Sequence, residues 1–155
     1  MSMFNKNHTV LADEMMDILT NLVQNDPLYL ECKGKCMDNA PEYLNKLKAT
    51  LHVQANERVL LYMDEGVLTH GRNGMITTER GIYYKGLMEM PKFTSWNELM
   101  NSPINIYYMN GTPLTLRVKA GLSHKPFCNA LGGENGANFW IRIKQAIAEY
   151  YQQAA

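Results

Sequence analysis

Hydrophobic residues recur at helical spacing along the first part of the chain. Leu11, Met15, Ile18, Leu19 and Leu22 fall at i, i+4, i+7, i+8 and i+11, while Asp13, Glu14 and Asp17 occupy other faces. The spacing predicts a helix from about residue 9 to 24, with Thr9 as its cap and Asn25-Asp26-Pro27 as its stop. Acidic residues in its first turn complement the positive end of the helix dipole. A second helix is expected over roughly 40–51, because Asn39 followed by Pro41 and Glu42 resembles a capping box and Tyr43, Leu44, Leu47 and Leu51 recur on one side.

After residue 57 the period shortens to that of strands. Val59–Met63 is a compact apolar run, and Asp64-Glu65-Gly66 supplies a turn or bulge before Val67-Leu68-Thr69. The Asn73-Gly74 pair marks a tight turn into Met75–Thr78, and Glu79-Arg80-Gly81 turns that strand into Ile82–Lys85. Further strands are expected at Lys92–Trp96, Ile104–Met109 and Leu114–Lys119, with Pro113 tolerable only at a strand start or edge. The stretch Gly121–Asn138 is rich in loop formers, although Lys125–Asn129 can add a short strand. Phe139, Ile143, Ala146, Ile147 and Tyr150 return to helical spacing, with Asn138 as the expected cap. Closely spaced strands without intervening helices imply an antiparallel meander, so the expected class is α+β: two helices, six or seven strands and a terminal helix.

A strongly twisted meander needs its open end covered, and a terminal helix with one apolar stripe can plug it. Three segments carry a family resemblance: Glu57–Asp64, Gly74–Lys85 with its Thr78-Glu79-Arg80-Gly81 turn, and Phe93-Thr94-Ser95-Trp96. Together they resemble the bacterial pleckstrin-homology-like (PH-like) domains. That resemblance covers roughly residues 55–152 and implies a strongly bent antiparallel barrel capped by the C-terminal helix. The corresponding division is an N-terminal helical appendage over 1–54 and a PH-like barrel over 55–155. Thr78 and Arg80 end a strand, Gly81 permits a tight turn and Trp96 fills core volume, so the shared positions mostly encode packing.

Phosphoinositide-binding relatives of that fold rest on several basic residues around the first hairpin. Here the hairpin carries Asp64 and Glu65, with Arg58 and Arg72 as the candidate phosphate or lipid contacts and His70 nearby. Phosphate capture needs convergent positive charge, so lipid binding is not carried over.

Composition narrows the chemistry. The 155-residue chain has 15 cationic and 15 acidic side chains, so no global field draws it to nucleic acid or an anionic membrane. Residues 101–155 do carry a local excess of three positive charges, from Arg117, Lys119, Lys125, Arg142 and Lys144 against Glu134 and Glu149. Three cysteines with no export signal at the N-terminus point to free thiols and a cytoplasmic protein.

Individual constellations favour structural roles. Cys32 and Cys36 have three residues between them, and although His8 or His52 could join them, the second half of a tetrahedral metal site is not visible in the spacing. Cys128 with His124 lacks an orienting third group, and His70 reads as a loop histidine. Asp64 with Glu65, or with Glu79, would need a buried cleft to serve as paired acid and base. Neither glycine-rich turn, at 71–74 or 132–136, ends in the Lys-Ser/Thr of a phosphate-cradling loop. Phe139, Trp140, Tyr150 and Tyr151 beside Arg142 and Lys144 could stack bases, but helical spacing assigns Phe139 and Tyr150 to the core.

The expected function is therefore a non-catalytic module that binds a protein or peptide, with no cofactor, no metal and no nucleic-acid partner. Its strand edge and the groove beside the terminal helix are the expected contact regions. Flexible Met88, Met90 and Met100 are the candidate interaction surface. Self-association through the N-terminal helices is a further possibility. The alternatives are a small-molecule-binding or enzymatic α+β cone with an internal pocket and, third, peripheral attachment to a membrane surface.

Overall fold

The computed structural model describes residues 10–66 and 68–153. The chain forms helices α1 (Asp13–Gln24), α2 (Pro27–Cys32) and α3 (Leu44–Leu51), the last preceded by a short 3-10 turn at Pro41–Tyr43. Strands β1 (Val59–Asp64), β2 (Gly74–Thr78), β3 (Gly81–Lys85) and β4 (Lys92–Ser95) follow, then helix α4 (Trp96–Asn101). Strands β5 (Asn105–Met109), β6 (Thr112–Ala120) and β7 (Ser123–Asn129) lead into α5 (Glu134–Gln153). The fold is α+β, and its strands make two antiparallel sheets in the orders β1-β2-β3-β4 and β5-β6-β7, not one hydrogen-bonded ring.

One core joins the two sheets. β7 lies across β2, β3 and β4, α5 packs against β5 and α4, and α1 rests on α5 and β1. Trp96, Phe139, Ile143 and Ile147 meet at its centre, each at most 2% exposed. Leu11, Met15, Met16, Leu19 and Val23 enter the same core, so it extends across the sequence boundary at residue 54. On the opposite face of the first sheet, Leu47, Leu51 and Val53 cover Tyr62 and Ile76. Coverage on both faces explains why β2 is buried at all five positions despite its two threonines.

Several expected boundaries are corrected by tertiary contacts. Helix α1 starts at Asp13 behind an extended Ala12, and the expected cap Thr9 lies outside the described residues. Its buried stripe is Met15, Met16, Leu19 and Val23, because contacts with β1 and α5 set its rotation; Ile18 is 39% exposed. Pro27 ends α1 and also starts α2, where Asp26 caps the turn by accepting from the Leu28 amide at 2.9 Å. Asn39 is not a cap. Residue Ala40 stands at that position in left-handed geometry, and the Asn39 amide is spent on β1 instead.

The expected strand Val67–Thr69 does not form over its described part, Leu68 and Thr69, which belong to the β1–β2 loop. Gly74 pairs directly with Asp64, so Asn73-Gly74 closes a long loop and not a tight hairpin. At Gly74 and Gly81, φ is +148° and +153°, and an added Cβ would strike the carbonyls of Met63 and Thr94. Trp96 opens α4 behind a capping box formed by Ser95 and Glu98, ending the strand expected to include it. The short strand allowed at Lys125–Asn129 lies within β7, which starts earlier at Ser123, and the loop expected up to Asn138 gives way to α5 from Glu134, placing Asn138 inside that helix.

Candidate interaction surface

The residues singled out by sequence divide into those absorbed by the fold and those left facing solvent. Arg58 and Arg72 stand before and after β1, whose six residues span about 20 Å, so they do not converge on one phosphate. The Arg58 guanidinium pairs with Asp17 of α1 at 2.7 Å, and its amide donates to Glu79 Oε2 at 2.6 Å. Arg72 is exposed on the β1–β2 loop.

Met88 and Met90 protrude from the β3–β4 loop at 94% and 78% exposure. Met100, on α4, instead packs partly into the core beside Ile141, Lys144 and Ala148 of α5. The three do not make one surface.

The thiols are similarly divided. Cys32 is buried, and burial followed by its hydrogen bond with Cys36 pushes the thiol up to about 11. Cys36 is half-buried and donates to the Cys32 carbonyl at 3.9 Å. Cys128 is enclosed in the core, where burial holds its thiol far above the ordinary range, while His124 is exposed. Among the described residues no three His, Cys, Asp or Glu side chains are grouped to hold a metal ion.

The carboxylates serve as local ties. Asp64, only 2% exposed at its side chain, accepts from the amides of Gly66 and Gly71 at 2.9 and 3.0 Å and thereby closes the loop between them. His70 Nδ1 lies 3.4 Å from the same carboxylate, with the ring stacked on Tyr43 at 4.6 Å. Glu57 accepts from Thr78 Oγ1, Tyr83 OH and the Gln54 amide at 2.9, 2.7 and 2.7 Å. Burial and that bond to Glu57 raise the Tyr83 phenol. Glu65 accepts from Asn129 Nδ2 at 2.7 Å, and burial raises its carboxyl more than this bond lowers it.

The aromatic residues of α5 are also committed. Trp140 is buried edge-on to Phe127 and Phe139, at 5.5 and 5.7 Å between ring centroids. Tyr151 OH accepts from the Ala12 amide, and Tyr150 OH donates to Glu14, each at 3.3 Å. Arg142 pairs with the buried Asp26, and Lys144 Nζ donates to the Ser102 carbonyl at 2.7 Å. Burial lowers the affinity of Lys144 for its proton.

The second sheet also faces solvent, and sequence reasoning named its cationic residues but none of the exposed side chains of β5. Among the described residues β5 pairs with β6 alone, and Tyr107, Tyr108 and Met109 are 39%, 49% and 52% exposed. Ile106 turns toward the core, while among the described residues no element covers the face that its neighbours Asn105 and Tyr107 present. Arg117 reaches from β6 over the Tyr107 ring, 3.9 Å from its centroid, and its Nε donates to Thr115 Oγ1 at 3.0 Å. Asn105, Ile106, Tyr107, Arg117, Ser123 and His124 enclose a shallow depression of about 410 Å³. A legible signal for this face was the absence of any Asp or Glu between Glu98 and Glu134.

No family model, curated protein or solved structure matches this chain. Among the described residues, no helix is long and apolar enough to cross a membrane.

Proposed function

We propose that the chain is a non-catalytic protein- or peptide-binding module of PH-like architecture that meets its partner along β5. The observation carrying this reading is the edge position of β5: one side is hydrogen-bonded to β6, while Tyr107, Tyr108 and Met109 are exposed. An extended segment placed beside that strand would gain backbone hydrogen bonds, with side-chain contacts supplying selectivity. Two antiparallel sheets followed by a long helix support the PH-like reading. The core filled by Trp96, Phe139, Ile143 and Ile147 favours recognition on the exterior over an internal cone pocket.

Selection of displayed extended peptides on the folded full chain, followed by amide NMR titration, tests the reading. Bound peptides are expected to shift the amides of residues 105–109 first. If metabolites raise the melting temperature while shifting core residues, and no selected peptide touches β5, the cone reading replaces it.

A further inference from the structure

We propose that the β5–β6–β7 sheet is a docking surface for an acidic extended peptide, an inference that rests on the binding-module reading and specifies its ligand. Between Glu98 and Glu134 the sequence contains Arg117, Lys119, Lys125 and His124 but no carboxylate. Lys125 is already engaged by Glu98 at 2.8 Å. Among the described residues no carboxylate bridges to Arg117 or Lys119, which leaves their charges available on the second sheet.

The placement of Arg117 couples this charge to the free strand edge. Its backbone is on β6 opposite Asn105, but its guanidinium lies over Tyr107 on β5. The positive charge is therefore carried from β6 toward β5, the strand beside which an added segment would lie. A Glu side chain on that segment can reach it. Lys119 and His124 are paired across β6 and β7 beyond the Asn105 end of β5, so a longer acidic segment can continue toward them. Alternate residues of an added strand share a face, so with Glu turned toward Arg117 the side chains between them turn to the face of Ile106.

Two other occupants fit less well. A second copy pairing β5 to β5 would bring two cationic sheets side by side, which opposes association. A single-stranded nucleic acid needs open aromatic faces, whereas one face of Tyr107 is occupied by Arg117. Neither occupant combines the exposed backbone edge with complementary charge as an acidic peptide does.

The test uses the full chain and fluorescent peptides of about eight residues, long enough to pass β5. One alternates Glu with Val, a second replaces every Glu by Gln, and a third keeps Glu but carries alternate backbone N-methyl groups. Fluorescence anisotropy gives affinity, and amide NMR gives location. The Glu-Val peptide is expected to bind at residues 105–119, with affinity falling on addition of salt; the neutral and N-methylated peptides should each bind at least about fivefold more weakly. Arg117→Gln and Lys119→Gln should each reduce affinity about two- to fivefold while retaining the thermal melt of the parent chain.

Absence of Glu-Val peptide binding up to about 1 mM at low salt overturns the proposal. Equal binding of the Glu and Gln peptides removes the acidic specificity. If the display selection nevertheless yields neutral peptides that shift β5, the broader binding-module reading survives this failure; if it yields none, that reading falls as well. Tighter binding of oligo-dT than of the Glu-Val peptide overturns the choice of peptide in favour of nucleic acid. Concentration-dependent dimerisation that masks β5 overturns it in favour of a second copy.

Discussion

Asn39 and Asp64 form a reciprocal pair in which a side chain imitates a strand. Asn39 Nδ2 donates to the Asp64 carbonyl at 2.9 Å, and the Asp64 amide donates to Asn39 Oδ1 at the same distance. One residue earlier, Asp38 exchanges bonds with Tyr62 through its amide at 2.7 Å and its carboxylate at 3.0 Å. Asp38 and Asn39 thereby occupy part of the outer edge of β1, whereas among the described residues no segment pairs with the outer edge of β5. This contrast sets β5 apart from β1 as the edge for the proposed partner.

Asn39→Ala removes both bonds at β1. The expected destabilisation is about 1–3 kcal/mol by urea unfolding, because two backbone groups lose partners. Amide exchange should accelerate first at Tyr62 and Asp64. An unchanged midpoint would show that water replaces Asn39 without cost.

Glu57→Gln tests the buried carboxylate. Its Oε1 accepts from Thr78 and Tyr83, and its Oε2 accepts from the Gln54 amide. A glutamine can keep the first pair only by turning its own NH2 toward the Gln54 donor. The expected loss is about 2–3 kcal/mol by denaturant unfolding, larger than the loss of about 1 kcal/mol for Tyr83→Phe.

Glu65→Gln should act in the opposite direction at neutral pH. The folded carboxyl is raised above its ordinary value of 4.5, so protonation favours the folded state. The favourable contribution is fully present below the unfolded value and is lost as pH rises through the folded value. The Gln variant should therefore melt higher near neutral pH, with the difference shrinking toward about pH 4 as the native carboxyl becomes protonated. A pH-independent difference would contradict this linkage.

The three cysteines should label in sequence. Cys36 is half-buried, while Cys32 and Cys128 are buried with raised thiols. Brief treatment of the native protein with iodoacetamide is expected to add one adduct at Cys36, and the other two should require unfolding. Peptide mass spectrometry identifies the site. Equal labelling of Cys128 would contradict its enclosure.

Met16 and Ile18 separate the observed orientation of α1 from that read in the sequence. Met16 is fully buried and Ile18 is 39% exposed. Met16→Ala should cost about 2–5 kcal/mol, whereas Ile18→Ala should remain within about 0.5 kcal/mol in equilibrium unfolding. Similar losses would place Ile18 in the core.

The sequence made several elements legible because their local signals agreed with their later surroundings. The apolar run Val59–Met63 lies within β1, Met75–Thr78 within β2 and Ile82–Lys85 within β3. Helix α4 was legible too, since Ser95 and Glu98 have capping-box spacing, but the strand-like residues before them masked it. The proposed interaction surface was only half legible. Its lack of carboxylates is a linear property, while the reach of Arg117 over Tyr107 requires β5 and β6 to pair.

The sequence by itself determined that short strands precede a long amphipathic helix, because alternation, turn residues and helical spacing are local constraints on the backbone. Tertiary structure decided that the strands divide into sheets of four and three, that Met16 and not Ile18 faces inward, and that Asn39 serves β1. Those outcomes depend on which surfaces meet across long chain separations. Burial and hydrogen-bond satisfaction then select among conformations that the local pattern leaves equally available.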